Sequence, residues 1–331
     1  MLEQLLPVLP VLALILAAEF VNGWTDAPNA IATVVSTRVL PPYHAVVMAA
    51  VLNVVGAMSG TAVAATIGKG IVDPSIINTT TVAAAMVGII IWSMFAYFMG
   101  GIPTSESHAL VAGLAGAALA TSGPSALLWE GWQKVLIGLL FSTFLGFICA
   151  FLIMLSLYRV FYHSRLGTIR KIFGRLQILS AAFMAFSHGS NDGQKFIGAF
   201  TLALMLGGVI PEFRVSIWVI LLCAGTMGVG TALGGWKIIH TMGVRLTKLE
   251  PIHGFAAETS AAIVIETASR MGIPLSTTHT ISTSIMGVGA TRRFSAVRWG
   301  IVREIAMAWI LTFPACGLIA YLVAYLATHL R

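Results

Sequence analysis

Asp26 and Asp192 sit in two polar runs, Asn22-Gly23-Trp24-Thr25-Asp26-Ala27-Pro28-Asn29 and His188-Gly189-Ser190-Asn191-Asp192-Gly193-Gln194-Lys195, each embedded in apolar sequence. An ionisable group in such surroundings is costly and is normally functional. Amide oxygens of Asn22, Asn29 and Asn191, with backbone that Gly23, Gly189 and Gly193 allow to unwind, would make each run a hard-oxygen cation site or a proton acceptor. A second pair of runs is Gly101-Ile102-Pro103-Thr104-Ser105-Glu106-Ser107-His108 and Gly272-Ile273-Pro274-Leu275-Ser276-Thr277-Thr278-His279. Proline is tolerated at a helix start, so each run predicts a new helix beginning inside a span, with first-turn N–H groups carrying partial positive charge. The hydroxyls of Thr104, Ser105, Ser107, Ser276, Thr277 and Thr278 add donors. Two such ends facing each other make an anion site without a permanent arginine. His108 and His279 are candidate donors to the anion or proton relays. Taken singly, each run also suits an ordinary capped helix. Their recurrence gives the functional reading its weight.

The recurrence extends along the chain. Asp26 and Asp192 are 166 residues apart, and His108 and His279 are 171 apart. Gly60-Thr61-Ala62 and Gly230-Thr231-Ala232 form a weaker echo. Interrupted segments at matching positions of two halves point to a secondary transporter's binding site. Composition agrees: 58% of residues are hydrophobic and 9% charged, with mean hydropathy +0.92, against about 25% charged in soluble domains. The apolar stretches have helix-spanning length and lack the two-residue alternation of an outer-membrane barrel. Glu3 stands where a signal peptide carries Lys or Arg, so the first segment is expected to remain as a span. Cys149, Cys223 and Cys316 are isolated and read as small core residues. HExxH, GxSxG and GxxxxGK[ST] are absent, which removes those enzyme and ATPase classes. No cofactor and no certain metal site are expected.

These features predict an all-α integral membrane protein with about ten to twelve transmembrane segments in two inverted repeats with broken helices or hairpins. The first repeat is residues 1–162, a basic cytoplasmic linker is 163–176, and the second repeat is 177–331. Five crossings per half would invert the halves. Charge agrees. With the linker inside and both termini outside, the inside holds thirteen Lys and Arg, among them Arg165, Arg170, Lys171, Arg175, Lys237 and Arg245, and the outside five, Lys69, Lys134, Arg214, Arg270 and Arg331. The net charge of +7 therefore reflects topology, and no nucleic-acid partner is expected.

In these four runs, and in Gly254-Phe255-Ala256-Ala257-Glu258-Thr259, the chain resembles the inorganic phosphate transporter (PiT) family, in particular its short bacterial low-affinity permeases. The resemblance covers the whole chain. It implies import of inorganic phosphate, as the ion or as a metal-phosphate complex, by cation symport across the inner (plasma) membrane, by a homodimer. It also singles out Glu258 as a coupling residue beside Asp26, Asn22, Asn29, Asn191 and Asp192; Glu19 and Glu266 are further buried-carboxylate candidates. The sequence departs from the sodium-coupled pattern twice: Thr25 precedes Asp26 where Asn is expected, and Lys195 replaces the second Asn. Lys195, three residues after Asp192, shares its helix face and could substitute for one sodium, leaving the proton as driving ion and adding a cation to the phosphate site. The nearest alternative is a sulfate carrier on the same scaffold. An anion channel needs a continuous pore, which broken helices in inverted halves disfavour.

Overall fold

The computed structural model describes residues 2–329; Arg331, counted above on the outer side, lies outside the described residues. Among the described residues the chain is helical without a strand, and Val72 and Leu127 form an isolated bridge between loops. After a lead-in at residues 2–8, the first half runs α1 (Leu9–Thr25), α2 (Ala32–Ser36), α3 (Pro42–Ala57), α4 (Ala62–Gly70), α5 (Thr79–Phe98), α6 (Glu106–Ser122) and α7 (Trp129–Val160). The second half runs α8 (Leu166–His188), α9 (Gln194–Leu206), α10 (Ile217–Ala232), α11 (Trp236–His240), α12 (Pro251–Arg270), α13 (Thr277–Arg292) and α14 (Trp299–His329). Each helix of one half has its counterpart, in order, in the other.

Local chemistry explains several boundaries. Asn78 caps α5 in a capping box with Thr81, and Pro42 and Pro251 occupy first turns, where a missing N–H is harmless. Gly101 and Gly272 end the preceding segments with positive φ, +64° and +67°, a conformation that side chains resist. Pro103 and Pro274 do not start the next helices. They lie in extended backbone, and α6 and α13 begin three residues later with Ser105 and Ser276 as N-caps, each accepting from the N–H three residues on. The run at 22–29 is a genuine break, a 3₁₀ turn at Ala27–Ala30 before α2. Its counterpart is a π turn, Gly189–Gly193, that keeps α8 and α9 helically continuous. The segment expected as a linker is mostly helical, because α8 starts at Leu166.

Packing between the halves occurs in exchanged pairs. Helix α14 packs on α6 as α7 packs on α13; α10 on α1 as α3 on α8; α9 on α4 as α2 on α11. Glycines open these crossings at equivalent places. A Cβ at Gly116 would collide with the Gly317 carbonyl, and one at Gly287 with the Phe147 carbonyl.

Helices α7 and α14 are the most outward-facing apolar elements, with Leu140, Phe144, Leu152, Ile310 and Leu318 exposed, as lipid contact requires. By length and composition, the helices Leu6–Ala30, Thr79–Phe98, Trp129–Val160 and Trp299–His329 suffice to span a bilayer, and two bent pairs raise the number to six. This is fewer than the ten to twelve expected, because the site-bearing helices are short or polar: α6 has 17 residues and α13 has 16.

Valine at Gly116 should lower stability by about 1–3 kcal/mol through overpacking. Alanine at Gly174 in α8, where a Cβ meets open space, should raise it by about 0.5–1 kcal/mol. Thermal unfolding of the detergent-solubilised variants checks both signs.

Candidate functional site

The four polar runs meet in one buried centre. In its first half-site, Asp26 Oδ1 accepts from Asn29 Nδ2 at 2.6 Å and from the Thr278 hydroxyl, and Asn29 also donates to Thr278 at 3.1 Å. Thr277 reaches Asp26 Oδ2 at 3.4 Å. In the second half-site, Lys195 Nζ donates to Asp192 Oδ1 at 2.6 Å and to the Ser107 hydroxyl. Lys195 is the repeat counterpart of Asn29, and Ser107 of Thr278. The centre is therefore an Asp–Asn–Thr triangle beside an Asp–Lys–Ser triangle, each completed by a helix start from the opposite half.

The third Lys195 proton goes to the Leu275 carbonyl at 3.0 Å, so its three donors hold Asp192 and one oxygen from each Gly-Ile-Pro element. Ser107 also donates to Leu275 at 2.6 Å. Lys195 is fully buried, as is Asp192. An ammonium so coordinated resembles a cation in an oxygen site. A phosphate ligand at Lys195 would have to displace one of these contacts.

The two helix starts face each other. His108 and His279 make an edge-to-face contact with ring centroids 4.6 Å apart, His279 stacks on Trp309 at 3.6 Å, and His108 packs on Phe313 at 4.7 Å. Among the described residues, the first-turn amides of Glu106, Ser107, Thr277 and Thr278 meet no hydrogen-bond acceptor, which is the donor set an oxyanion uses. Ser107, Thr277 and Thr278 have committed their protons; Thr104, Ser105 and Ser276 have not. All six hydroxyl residues are buried.

His188 was missed by sequence reasoning, although it opens the second run at the place of Asn22. Asn53 Oδ1 can only accept, so the 3.1 Å contact fixes the His188 Nδ1 proton there. Nε2 then faces Asp26 Oδ2 at 3.8 Å and Asp192 Oδ2 at 4.0 Å, with no hydrogen-bond partner of its own. One donor atom from each of these three residues falls within 4.8 Å of the others, a grouping able to hold a cation.

Other candidates are dispersed. Asn22 donates to Glu19 at 3.1 Å, and Asn191 donates to Ser269 at 2.9 Å and to the Ile273 carbonyl at 3.3 Å. The side-chain oxygens of Asn22, Asn29 and Asn191 are buried without partners, as acceptors awaiting a cation or water would be. Glu258 lies in a separate pocket, where Thr33, Ser180 and Gln177 donate to it and no hydrogen bond links it to Asp26 or Asp192. Glu266 pairs with Arg270 at 2.9 Å. Glu106, unremarked inside the first Gly-Ile-Pro run, accepts from Ser93 at 2.6 Å and from Thr25 at 3.4 Å.

Two surface cavities flank the centre at equivalent places. One, of about 640 Å³, adjoins Gly272 and is lined by Lys69, Lys134 and Arg270 together with Glu130. The other, of about 450 Å³, adjoins Gly100 and is lined by Lys237, His240 and Arg245.

Residues 22–320 match the family model described as "Phosphate transporter family". The chain belongs to the phosphate transporter family. Its similarity to individual proteins is also extensive. A Rhizobium meliloti protein named "Probable low-affinity inorganic phosphate transporter" is 43% identical over 96% of this chain and 95% of its own length. A Bacillus subtilis protein of the same name is 41% identical over 93% and 94%. A solved structure, "The sodium-dependent phosphate transporter", superposes with a TM-score of 0.88 over 98% of this chain and 99% of its own at 23% identity, which shows a common fold. This member of the phosphate transporter family is thus a multi-pass membrane protein and not an enzyme.

The Asp192–Lys195 contact makes a stability prediction. Lys195→Met should destabilise by about 3–5 kcal/mol, since it leaves a buried charge unpaired, and Asp192→Asn in the same chain should recover much of that loss. A double-mutant cycle on thermal unfolding measures the coupling; additive losses would deny that the pair is held together.

Proposed function

We propose that this protein imports inorganic phosphate by proton symport and alternating access. Phosphate lies between the α6 and α13 starts, held by first-turn amides and by Thr104, Ser105, Ser107, His108, Ser276, Thr277, Thr278 and His279. Asp26, Asn22, Asn29, Asn191 and Asp192 form the coupling-ion side, and Glu258 supports it from a neighbouring pocket. The observation that carries this reading is the Lys195 ammonium, bound by Asp192 and by one oxygen from each Gly-Ile-Pro element. A fixed cation stands where the other triangle has an amide, so one sodium becomes unnecessary and a proton drives the cycle.

The exchanged packing of the halves supports an inverted repeat, with the linker cytoplasmic, the termini outside and the short polar helices crossing as half-spans. The protein acts in the plasma membrane as a homodimer. The cavity at Lys69, Lys134 and Arg270 is the outer mouth and that at Lys237 and Arg245 the inner one; each focuses anions toward a glycine that precedes a binding helix. Because phosphate and coupling cation share the centre, each strengthens binding of the other. The Asp26–His188–Asp192 grouping favours a second form of the cargo, a metal-phosphate complex whose cation sits among these three residues.

Reconstituted protein in sodium-free vesicles should take up labelled phosphate faster under an inward proton gradient, and Lys195→Asn should make uptake depend on sodium. Uptake by that variant that stays sodium-independent would refute the surrogate-cation role. Uptake by the unaltered protein only when sodium is present would refute proton coupling.

A further inference from the structure

The two triangles differ at a second position. Thr277, beside Asp26, has Glu106 as its repeat counterpart 171 residues earlier. Next to the triangle with Asn29 stands Thr277, and next to the triangle with Lys195 stands Glu106, so an added positive charge comes with an added carboxyl. Glu106 is buried, in the first turn of α6, among the amides assigned above to phosphate. Its Oε1 accepts from Ser93 and Thr25, while Oε2 is buried without a partner. Thr25 is itself one of the two departures from the sodium-coupled pattern, so both departures touch this corner of the centre.

The titratable groups facing Glu106 are known from every side. Asp26 and Glu19 approach from the α1 region, Asp192 from the π turn, and Cys316 from α14, while Lys195 on α9 reaches the neighbouring Ser107. Helix α5 contributes Ser93, and the histidine pair His108 and His279 borders the same helix start. Lys195 is turned to Asp192, and no cation pairs with Glu106 among the described residues. Glu258, by contrast, has donors on both oxygens in a closed pocket, and Asp26 accepts from Asn29, Thr277 and Thr278. Asp192 Oδ2 and Glu19 Oε1 are also buried without a partner, but Asp192 holds Lys195 through Oδ1 and Glu19 lies within α1, so of these carboxyls Glu106 alone stands in the first turn of a helix assigned to phosphate.

We infer that Glu106 is the group that carries the transported proton. Protonated, its Oε2–H is a donor at the anion-binding helix start. Ionised, its charge opposes phosphate at the same place. Phosphate and proton are thereby held together without contact between Glu106 and the coupling-ion oxygens. The proton arrives with phosphate, resides on Oε2 in the occluded state and leaves as phosphate leaves; no covalent bond is made.

This inference rests on the proton-symport reading, and the test separates the two. Three proteins are reconstituted in sodium-free vesicles: the unaltered chain, E106Q and E106D. Labelled phosphate is followed as gradient-driven net uptake and as phosphate–phosphate exchange at equal pH. Coupling of the usual size, about 5- to 150-fold, should appear as gradient stimulation in the unaltered chain and disappear in E106Q, beyond whatever fall in exchange a change in the binding turn brings. Full stimulation in E106Q overturns the assignment to Glu106 with the proton reading intact. No stimulation in the unaltered chain overturns both. If E106Q loses exchange as well, E106D decides: restored gradient-driven uptake supports the assignment, and its absence overturns it.

Discussion

The structure depends on placing charge in the buried interior of a helical bundle. Asp192 and Lys195 are fully buried, and either alone would cost several kcal/mol. Their contact is one helical turn long, but the third and fourth partners, Ser107 and Leu275, come from the two distant Gly-Ile-Pro runs. The ion pair therefore fixes where α6 and α13 begin relative to α9. The two starts are joined further by the histidine pair, His279 stacking on Trp309 and His108 packing on Phe313.

Repetition supplies the geometry, and departures from it supply the chemistry. Packing between the halves is exchanged so faithfully that glycine clearances recur at matching crossings. Within that frame the side chains at the centre are unequal: Asn29 against Lys195, Thr277 against Glu106, Asn22 against His188. A carrier built from equal halves would offer two equal cation sites. This chain offers an amide-and-hydroxyl site on one side, and a fixed ammonium with a free carboxyl oxygen on the other. These differences change the donors and charges that the centre presents, while both helix starts keep the same serine N-cap.

Much of this was legible in the residues. Spacing located the four runs and paired the halves, and the three-residue separation of Asp192 and Lys195 placed them on one helical face. Glycine at 101 and 272 and serine at 105 and 276 marked where one helix stops and the next begins. Proline marks each break but not the helix start, which lies three residues on, because it serves an extended connector here and not a first turn. Length and composition alone mark four to six spans, against the ten to twelve read from hydropathy blocks, since the helices that carry the site are short and rich in hydroxyls. The Glu258 pocket, the His188–Asn53 contact and the place of Glu106 were not legible. Each depends on residues more than ten positions apart, and no local period encodes them. For His188 and Glu106 a signal did exist: each is the odd member of a repeat-equivalent pair.

The central claim is that the two helix starts hold phosphate beside a fixed lysine cation. A phosphate-bound structure in lipid and sodium-free buffer tests it most directly. The account predicts tetrahedral density within hydrogen-bond distance of the first-turn amides of both α6 and α13, with Lys195 still on Asp192. Phosphate found only in the basic surface cavities, or at the centre with Lys195 turned away from Asp192, would contradict it.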